Sequence, residues 1–450
     1  MAERLTARAV IGLVTDDFVP LPAPAALAPP LPDGPIGWAG YDASRARAAG
    51  RTGEEESVLY GRATIDGRRV VLVAFEFGFL GGSLGQAAGD RLVAAYRTAL
   101  ADRVPLVSLV ATGGSRMQEG MIALTQLQRV AEATVRLRDA GVPHVAVLRD
   151  PSTGGGWATV GAGADVVLAL PTAQVAFAGS RVRPHDADPA AYTAESQWKH
   201  GHVDGIVEPE DLRATLSLWL RLLRGSEGAP APASAPPPRA LTEAGPPCTG
   251  WEAVVRARSA ERPRAGAYLD AYFTARAAIR GDRAGGVDPG VECGFGLHEG
   301  RTVAYAAQDG TATRPAGFRT VARLIRLADR LGIPVLTLID TPGAANDADA
   351  ERAGAGPAIA DAFTAVAEAR VPVTSLLVGE GGSGGALALA APGNTWATPD
   401  GYFSVIAPEL ASAILKREPD QAPVTADQLR LRPQDLVELG VVRGIVTRGG

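Results

Sequence analysis

Four glycine-rich turns are the parts of this sequence best suited to chemistry. Each leads from a strand-like run toward a helix-like one, and they are Gly78–Ser83, Thr112–Met117, Ser152–Gly156 and Glu380–Ala386. A helix start leaves backbone N–H groups unpaired, and glycine lets that backbone approach a ligand without an intervening Cβ. Such turns can hold a phosphate or an oxyanion that develops during a reaction. Tight packing of a strand against a helix is the competing explanation for a single turn, and four turns in one frame weaken it.

Known phosphate and nucleophile motifs do not account for these turns. A P-loop needs Gly-Lys followed by Ser or Thr, and neither Lys199 nor Lys416 follows a glycine. The sequence around Ser383 matches the G-x-S-x-G elbow of serine hydrolases, in which the histidine follows the serine. All five histidines instead precede it, at positions 144, 185, 200, 202 and 298. We therefore interpret Ser383 as a turn or helix-cap residue, and the chain offers oxyanion donors without a convincing general base.

Composition excludes several classes of protein. A net charge of −5 provides no basic field for a nucleic acid, and no apolar run reaches the ~18 residues of a membrane span. Two cysteines, Cys248 and Cys293, cannot form a disulfide framework or a four-ligand zinc site. Asp16 and Asp17 directly follow the short apolar run near the N-terminus, which makes it a poor secretory signal. We expect a cytoplasmic protein with no metal, nucleic-acid or membrane partner.

The elements that must position these turns occur in two similar halves. Residues 225–247 are rich in Pro, Ala and Ser and predict an extended linker between the halves, while residues 1–36 are interpreted as an N-terminal arm. Pro105 and Pro143 are 38 residues apart, as are Pro334 and Pro372, and each proline opens an apolar run. Shared spacing of this kind favours a duplicated fold.

Within each half, the pattern alternates between strand and helix. The four prolines open β-rich runs of about six residues, which suit strands buried on both faces. The helical periods between them are Gly89–Leu100, Gln118–Ala140, Gly317–Leu331 and Ala358–Ala369. This alternation predicts an α/β fold with a parallel sheet, and ligands of such sheets gather at the carboxyl ends of the strands, where the turns lie.

These motifs resemble a known family, the carboxyltransferase of bacterial acetyl-CoA carboxylase. Residues 37–224 resemble its β subunit through four motifs, which begin at Arg51, Glu76, Thr112 and Phe177. Residues 248–450 resemble its α subunit, and the motifs there begin at Gly281, Ile339, Glu380 and Tyr402. The chain therefore looks like both subunits fused through the linker.

The resemblance implies two tandem crotonase-like domains, of the ββα superhelix type, that transfer a carboxyl group from carboxybiotin to acetyl-CoA or another acyl-CoA. By that pattern Gly113 and Gly114 donate N–H groups to the thioester enolate oxygen, and Gly385 and Ala386 donate to the ureido oxygen of biotin. The remaining predicted substrate-binding residues line the acyl-CoA side or the biotin side. On the acyl-CoA side they are Gly78, Gly81, Gly82, Ser83, Phe177, Ala178 and Gly179; on the biotin side they are Gly382, Ser383 and Gly384.

The same resemblance implies partners. Neither lysine is followed by Met, as a biotin-attachment site requires, so biotin is expected on a separate biotin carboxyl carrier protein, loaded by a separate biotin carboxylase. The family also implies a homodimer or a higher homo-oligomer. After loss of CO₂, the biotin anion can remove the α-proton of the thioester, which would explain the missing enzymic base.

Two departures from the family pattern keep other interpretations open. Residues 1–40 contain no cysteine, so the zinc ribbon that usually begins the β subunit is expected to be absent. Residues 345–352 and 407–412 differ from the usual α-subunit sequence beside the biotin-side loop. The alternatives are a decarboxylase-type relative that acts on malonyl or methylmalonyl thioesters, and a CoA-binding homologue without biotin-side activity.

Overall fold

The chain forms two compact units, Met1–Leu223 and Arg224–Gly450. The computed structural model describes residues 4–25, 31–224 and 233–448. Each unit is a mixed α/β structure built on its own eight-stranded sheet, as the alternating pattern predicts.

The first unit has a sheet in the order β1-β2-β3-β4-β5-β6-β8, with β7 beside β5. Strands β1 to β3 pair antiparallel, and the strands from β3 onward pair parallel. The strands are β1 (Asp17–Pro20), β2 (Val58–Ile65), β3 (Arg68–Phe75), β4 (Leu106–Thr112), β5 (His144–Thr153), β6 (Val166–Ala169), β7 (Val175–Ala176) and β8 (Gly205–Ile206). The helices are α1 (Ala7–Val14), α2 (Tyr41–Thr52), α3 (Gln86–Asp102), α4 (Gly120–Asp139), α5 (Gly154–Gly156), α6 (Ala194–Lys199) and α7 (Leu212–Leu222).

The second unit repeats this arrangement in the order β16-β14-β13-β12-β11-β10-β9, with β15 beside β13. Its strands are β9 (Ala275–Ile279), β10 (Val291–His298), β11 (Arg301–Gln308), β12 (Val335–Thr341), β13 (Val373–Gly382), β14 (Thr395–Ala397), β15 (Tyr402–Ser404) and β16 (Gly444–Ile445). Its helices are α8 (Gly250–Arg258), α9 (Ala265–Tyr272), α10 (Pro315–Leu331), α11 (Ala348–Arg352), α12 (Ala355–Glu368), α13 (Ser383–Leu387), α14 (Pro408–Ile414), α15 (Ala422–Gln428) and α16 (Pro433–Glu438).

Helix α10 shows why these residues form these elements. Its buried apolar positions include Phe318, Val321, Ala322 and Ile325, which recur with the helical period and place one stripe against the sheet. Pro315 occupies the first turn, where a missing N–H costs nothing, and Gly332 ends the helix in a left-handed conformation with φ 67°.

The central strands lie where the prolines predict them. Strands β4, β5, β12 and β13 begin directly after Pro105, Pro143, Pro334 and Pro372, and their core segments are buried. All four predicted helices are present, with their ends moved by at most three residues. The parallel order places the carboxyl ends of β4 and β5 side by side, and likewise those of β12 and β13.

The segment predicted as an N-terminal arm contains ordered structure. Helix α1 buries Ala7, Val10, Ile11 and Val14, and β1 extends the first sheet. The N–H of Ala7 also donates to the carboxylate of Glu76 over 2.8 Å. The helical spacing of those four apolar residues accounts for the packing of this segment onto the first unit.

The predicted linker is only partly described. Residues 225–232 lie outside the described residues, and residues 233–247 form neither helix nor strand. Ala235 and Ala240 of this segment are buried in the core of the second unit, and the hydroxyl of Thr374 donates to the Ala235 carbonyl over 2.8 Å. The described part of the linker therefore packs against the second unit.

Candidate active site

One sharp strand-to-helix turn occurs at the same place in both units. In the first unit it joins β5 to α5, and in the second it joins β13 to α13. The pairing of Thr112 with Ser152 corresponds to the pairing of Thr341 with Gly381. Counting forward from these pairs makes Gly154 the equivalent of Ser383, and both adopt left-handed backbone, with φ 63° and 55°.

This correspondence assigns partners to the predicted biotin-side donors. Gly385 and Ala386 lie two and three residues after the left-handed position, so their equivalents in the first unit are Gly156 and Trp157. Both turns present first-turn N–H groups, such as that of Gly385, which have no carbonyl four residues earlier in a helix to receive them. Ala386 is the first residue of α13 that has such an acceptor, because it lies four residues after the N-cap Gly382. Each turn can therefore donate hydrogen bonds to an oxyanion.

Gly113 and Gly114 occupy a different position in the repeat, the turn after β4. The N–H of Gly113 donates to the Gly81 carbonyl over 2.8 Å, and that of Gly114 donates to Thr112 Oγ1 over 3.0 Å. In the second unit the N–H of Gly343 makes the same bond to Thr341 Oγ1 over 3.1 Å. Both N–H groups of the predicted thioester pair thus have protein acceptors in this conformation.

The turn at 154–156 fits closely against that loop. A Cβ on Gly154 would lie 2.9 Å from the Cα of Gly114, and one on Gly156 would lie 2.5 Å from Cγ2 of Thr112. Ser152–Gly156 is one of the four glycine-rich turns of the sequence, and the family resemblance assigns it no role. One signal was available: Gly154 follows Pro143 by eleven residues, and Ser383 follows Pro372 by eleven.

The structure brings the predicted acyl-CoA-side residues together around this turn. Gly81 accepts the bond from Gly113, and a Cβ on Gly82 would overlap the carbonyl of Ala111. The carbonyl of Phe177 accepts from the N–H of Gly154 over 3.0 Å, which places the segment from Phe177 to Gly179 beside the turn. Three other predicted residues lie in the same loops: Gly78, Ser83 and Ala178.

A buried charge network holds the Gly78–Ser83 loop in place. The guanidinium of Arg116 is fully buried and donates to both carboxylate oxygens of Glu56, to the Ser83 carbonyl over 2.7 Å and to the hydroxyl of Tyr41 over 3.1 Å. Burial acts to raise the pKa of the Glu56 carboxyl, but the hydrogen bonds and charge of Arg116 outweigh it and hold that pKa below its ordinary value. Glu56 is therefore the paired anion of a structural network.

The predicted biotin-side residues lie at the carboxyl end of β13. Gly382 and Gly385 have no room for a Cβ, because it would overlap the carbonyl of Pro342 and the N–H of Ala344, respectively. Ser383 and Gly384 are exposed, and a Cβ on Gly384 would meet nothing within 4 Å. The turn therefore reaches solvent at Ser383 and Gly384, while Gly385 and Ala386 directly after them are buried.

Two ion-pair groups support this end of the second sheet. Asp340, fully buried, accepts from Arg262 over 2.7 Å and from the N–H of Glu380 over 3.1 Å. Burial raises the pKa of the Asp340 carboxyl, although Arg262 opposes the shift. Glu380 in turn accepts from Tyr402 and Arg258, and burial is the main cause that raises the pKa of the Tyr402 hydroxyl. These charged groups already have partners within the unit.

The altered segment at residues 345–352 adjoins the biotin-side turn. Asp347 caps α11 by accepting from the N–H groups of Asp349 and Ala350 over 3.0 and 2.9 Å. The N–H of Ala345 donates to the Thr313 carbonyl over 2.9 Å. The departure from the family pattern therefore forms a short capped helix behind Ala344, which faces Gly385.

Metal-ligating clusters and membrane-spanning helices are both missing from the part of the chain that the structure describes. Across residues 4–25, 31–224 and 233–448, no group of three or more His, Cys, Asp or Glu side chains is arranged to hold a metal ion. None of the helices described is long and apolar enough to cross a membrane.

Solved structures share the architecture of both units. The chain matches a transcarboxylase 12S with methylmalonyl-coenzyme A bound at a TM-score of 0.78 and 20% identity, over 98% of this chain and 87% of that one. It matches a single-chain, multi-domain long-chain acyl-CoA carboxylase at a TM-score of 0.77 and 20% identity, over 98% of this chain and 44% of that one. The fold is thus that of crotonase-like carboxyltransferases, as predicted.

Sequence comparison identifies the family. Residues 39–208 match the carboxyl transferase domain model, and residues 243–449 match the model described as acetyl co-enzyme A carboxylase carboxyltransferase-like. The chain is 40% identical over 426 residues to the "Acetyl-coenzyme A carboxylase carboxyl transferase subunits beta/alpha" of Saccharopolyspora erythraea, which covers 90% of this chain and 74% of the relative. It is 34% identical over 417 residues to a "Probable biotin-dependent acyl-coenzyme A carboxylase beta3 subunit" of Mycobacterium bovis, over 90% of this chain and 83% of the relative. The chain belongs to the fused beta/alpha carboxyltransferases of the biotin-dependent acyl-CoA carboxylase family, and the predicted fusion of β-like and α-like halves is confirmed.

Proposed function

We propose that this chain transfers a carboxyl group from carboxybiotin on a carrier protein to acetyl-CoA, and so forms malonyl-CoA. The observation that carries the proposal is 40% identity, over 90% of the chain, to a relative named for this reaction. The paired strand-to-helix turns support it, because a transfer between two substrates needs an oxyanion site for each.

The turn at 154–156 is the donor site that we favour for the thioester oxygen. Gly113 and Gly114 remain the pair predicted from the sequence. Their N–H groups could donate to a substrate only after breaking their hydrogen bonds to the Gly81 carbonyl and to Thr112 Oγ1. Of the two residues equivalent to Gly385 and Ala386, Trp157 donates its N–H to the Gly154 carbonyl. We therefore propose Gly155 and Gly156 as the donors, because first-turn N–H groups need no such exchange. Loss of one oxyanion donor typically costs ~10²–10³ in rate, so the N–H groups that point at the oxygen dominate the effect of the site.

The turn at 383–386 is proposed to hold the ureido oxygen of biotin through Gly385 and Ala386. Gly382, Ser383 and Gly384 would line the approach, because the last two are exposed at the start of α13. Carboxybiotin would supply CO₂ and, once CO₂ has left, a nitrogen base that removes the α-proton before the new carbon–carbon bond forms. The chain's own residues orient the two substrates and stabilise charge on their oxygens.

This proposed reaction requires partner proteins, because the chain itself has no biotin-attachment motif. A separate carrier protein would present biotin, and a separate biotin carboxylase would load it. We also propose that the chain works as a homodimer or a higher homo-oligomer. Light scattering should then give at least twice the mass of one chain, and a fully active monomer would contradict this assembly.

A transcarboxylation assay tests the proposed function. Purified chain is mixed with malonyl-CoA and biotin, and appearance of acetyl-CoA is followed with and without biotin. Methylmalonyl-CoA and longer carboxyacyl-CoAs in parallel define the acyl preference. Biotin-dependent turnover, fastest with malonyl-CoA, is expected. Malonyl-CoA loss without biotin would identify a decarboxylase, and no turnover with any substrate would identify a binding homologue.

A further inference from the structure

A fully buried glutamine lies directly beneath the biotin-side turn. Gln308 is the last residue of β11 and has an exposed fraction of 0%. Its Nε2 donates to the carbonyl of Gly385 over 3.3 Å and to Thr313 Oγ1 over 3.0 Å. The Gly385 carbonyl can only accept, so the amide nitrogen must face it. The hydroxyl of Thr313 continues the network to Thr341 Oγ1 over 3.4 Å.

The Gly385 carbonyl needs this partner because the short helix does not provide one. In a continuous α-helix the N–H of Leu389 would donate to it. That N–H instead donates to the carbonyl of Ala386 over 3.2 Å. Gln308 therefore replaces a helical hydrogen bond at the residue that carries the proposed donor N–H.

The first unit shows that the fold does not require an amide here. The pairing of Ala74 with Leu109 corresponds to that of Ala307 with Leu338, so Phe75 is the equivalent of Gln308. Phe75 is fully buried in an apolar core. The same repeat frame therefore folds with an apolar side chain at this position.

Retaining an amide at this depth also costs free energy. Gln308 Oε1 has no hydrogen-bond partner among the described residues. A buried acceptor left unsatisfied typically costs about 1–3 kcal/mol. Because burying Gln308 costs more free energy than burying an apolar side chain such as Phe75, we expect Gln308 to have a role beyond packing.

We propose that Gln308 is a positioning residue that fixes the main chain of Gly385 so that its N–H can meet the biotin-side oxyanion; the role rests on the proposed function. The N–H of Gly385 lies in the first turn of α13, where no helical carbonyl receives it. By holding the carbonyl of the same residue, Gln308 limits the rotation of the main chain on both sides of it. Without that anchor, the main chain of Gly385 can rotate and the donor leaves its place.

The test compares Gln308→Met with Thr337→Val. Methionine keeps the length of glutamine but cannot donate. Thr337 is also fully buried and donates over 2.7 Å to the Leu389 carbonyl, so Thr337→Val removes a buried hydrogen bond near the far end of the same helix. We expect Gln308→Met to lose on the order of tenfold in kcat with an unchanged KM for malonyl-CoA, since part of a donor worth ~10²–10³ is lost. Thr337→Val should keep kcat within about twofold.

A crystal structure of the Gln308 variant separates this inference from the proposed function. We expect a rotated or disordered main chain at Gly385 in Gln308→Met, or in Gln308→Leu if the first variant does not fold. An unrotated main chain overturns the inference, and so does an equal loss of kcat in Thr337→Val. If the native chain shows no biotin-dependent transfer, the proposed function fails, and the orientation of the Gly385 main chain still decides the role of Gln308.

Discussion

In the turns at residues 78–83 and 380–386, glycine is required where backbone atoms of a neighbouring segment occupy the place of a Cβ. At Gly82, Gly382 and Gly385, that Cβ would overlap main-chain atoms of the neighbouring strand or loop. The glycine pattern by itself is explained either by the approach of a ligand or by tight packing of a strand against a helix. At these three positions the close approach is between one backbone segment and another, whereas a Cβ on Gly81 or Gly384 would meet nothing within 4 Å.

The sequence could not distinguish the two candidate donor pairs of the first unit. Gly113 and Gly114 match the family motif, and nothing in the motif shows that Thr112 Oγ1 accepts from Gly114. The bond between Gly113 and the Gly81 carbonyl joins loops that are 32 residues apart in the sequence. Contacts of this kind arise only when β3, β4 and β5 are assembled, so spacing alone cannot predict them.

His144 should make the first unit sensitive to acid. It is fully buried, its Nε2 lies 2.9 Å from Ser108 Oγ, and its ring packs edge-on against Tyr96. Burial lowers the pKa of His144 to about 4. Because the unfolded imidazole binds a proton below its ordinary pKa, near 6.5, its contribution to stability is complete above that pH and is lost as the pH falls toward about 4.

We therefore expect the free energy of unfolding to fall by up to ~1.4 kcal/mol per pH unit through this residue between about pH 6.5 and 4. His144→Phe keeps the aromatic contact with Tyr96 and removes the titrating group, so its stability should fall less steeply. Urea unfolding at pH 7 and pH 5 measures both slopes. Equal slopes for the native chain and the variant would show that His144 does not titrate as described.

Strands and helices were the most predictable level of the structure. The prolines before β4, β5, β12 and β13 mark strand starts, because apolar β-branched runs follow each of them. Helix α1 was not predicted as an element, although Ala7, Val10, Ile11 and Val14 show the helical period. The Pro/Ala composition of the residues that follow hid it, and its stability depends on packing against the first unit.

The Arg116 network should stabilise the first unit more than any exposed ion pair does. Arg116→Met would leave Glu56 and Glu119 buried without their cation, and breaking a buried pair typically costs about 3–5 kcal/mol. Arg62→Met is the matched control, because Arg62 pairs with Asp102 while its side chain is 55% exposed. Such surface pairs contribute about 0–1 kcal/mol.

Urea unfolding of both variants measures the difference. We expect a large loss of stability for Arg116→Met and a small one for Arg62→Met. We also expect faster proteolysis at the Gly78–Ser83 loop in Arg116→Met, since the Ser83 carbonyl loses its donor. Similar stabilities for the two variants would show that the network does not hold the loop.

Duplication is the property of the whole chain that matters most for function. Two units built on one frame place equivalent turns at Gly154 and Ser383, and the shared proline spacing made this visible in the sequence. The units differ beneath the turns. The buried amide of Gln308 lies there in the second unit, and the apolar ring of Phe75 occupies the equivalent position in the first. This difference could not be inferred before the strand registers were known.

The central claim is that the two turns serve two different substrates. Two variants, Gly179→Ala and Gly384→Ala, test it, one beside each turn. Neither new methyl group would clash with the protein: the Cβ at position 179 would lie 3.8 Å from Thr153 Oγ1, and the one at position 384 would meet nothing within 4 Å. Both variants should fold normally, with changes in stability within about 0.5 kcal/mol.

Steady-state transcarboxylation kinetics, with malonyl-CoA and biotin varied separately, are the most direct measurement. Gly179→Ala should raise the KM for malonyl-CoA roughly tenfold, which corresponds to ~1.4 kcal/mol of binding, and should leave the KM for biotin unchanged. Gly384→Ala should raise the KM for biotin by a similar factor and leave the KM for malonyl-CoA unchanged. If both variants change the same KM, or if the two effects are exchanged, the assignment of one turn to each substrate is wrong.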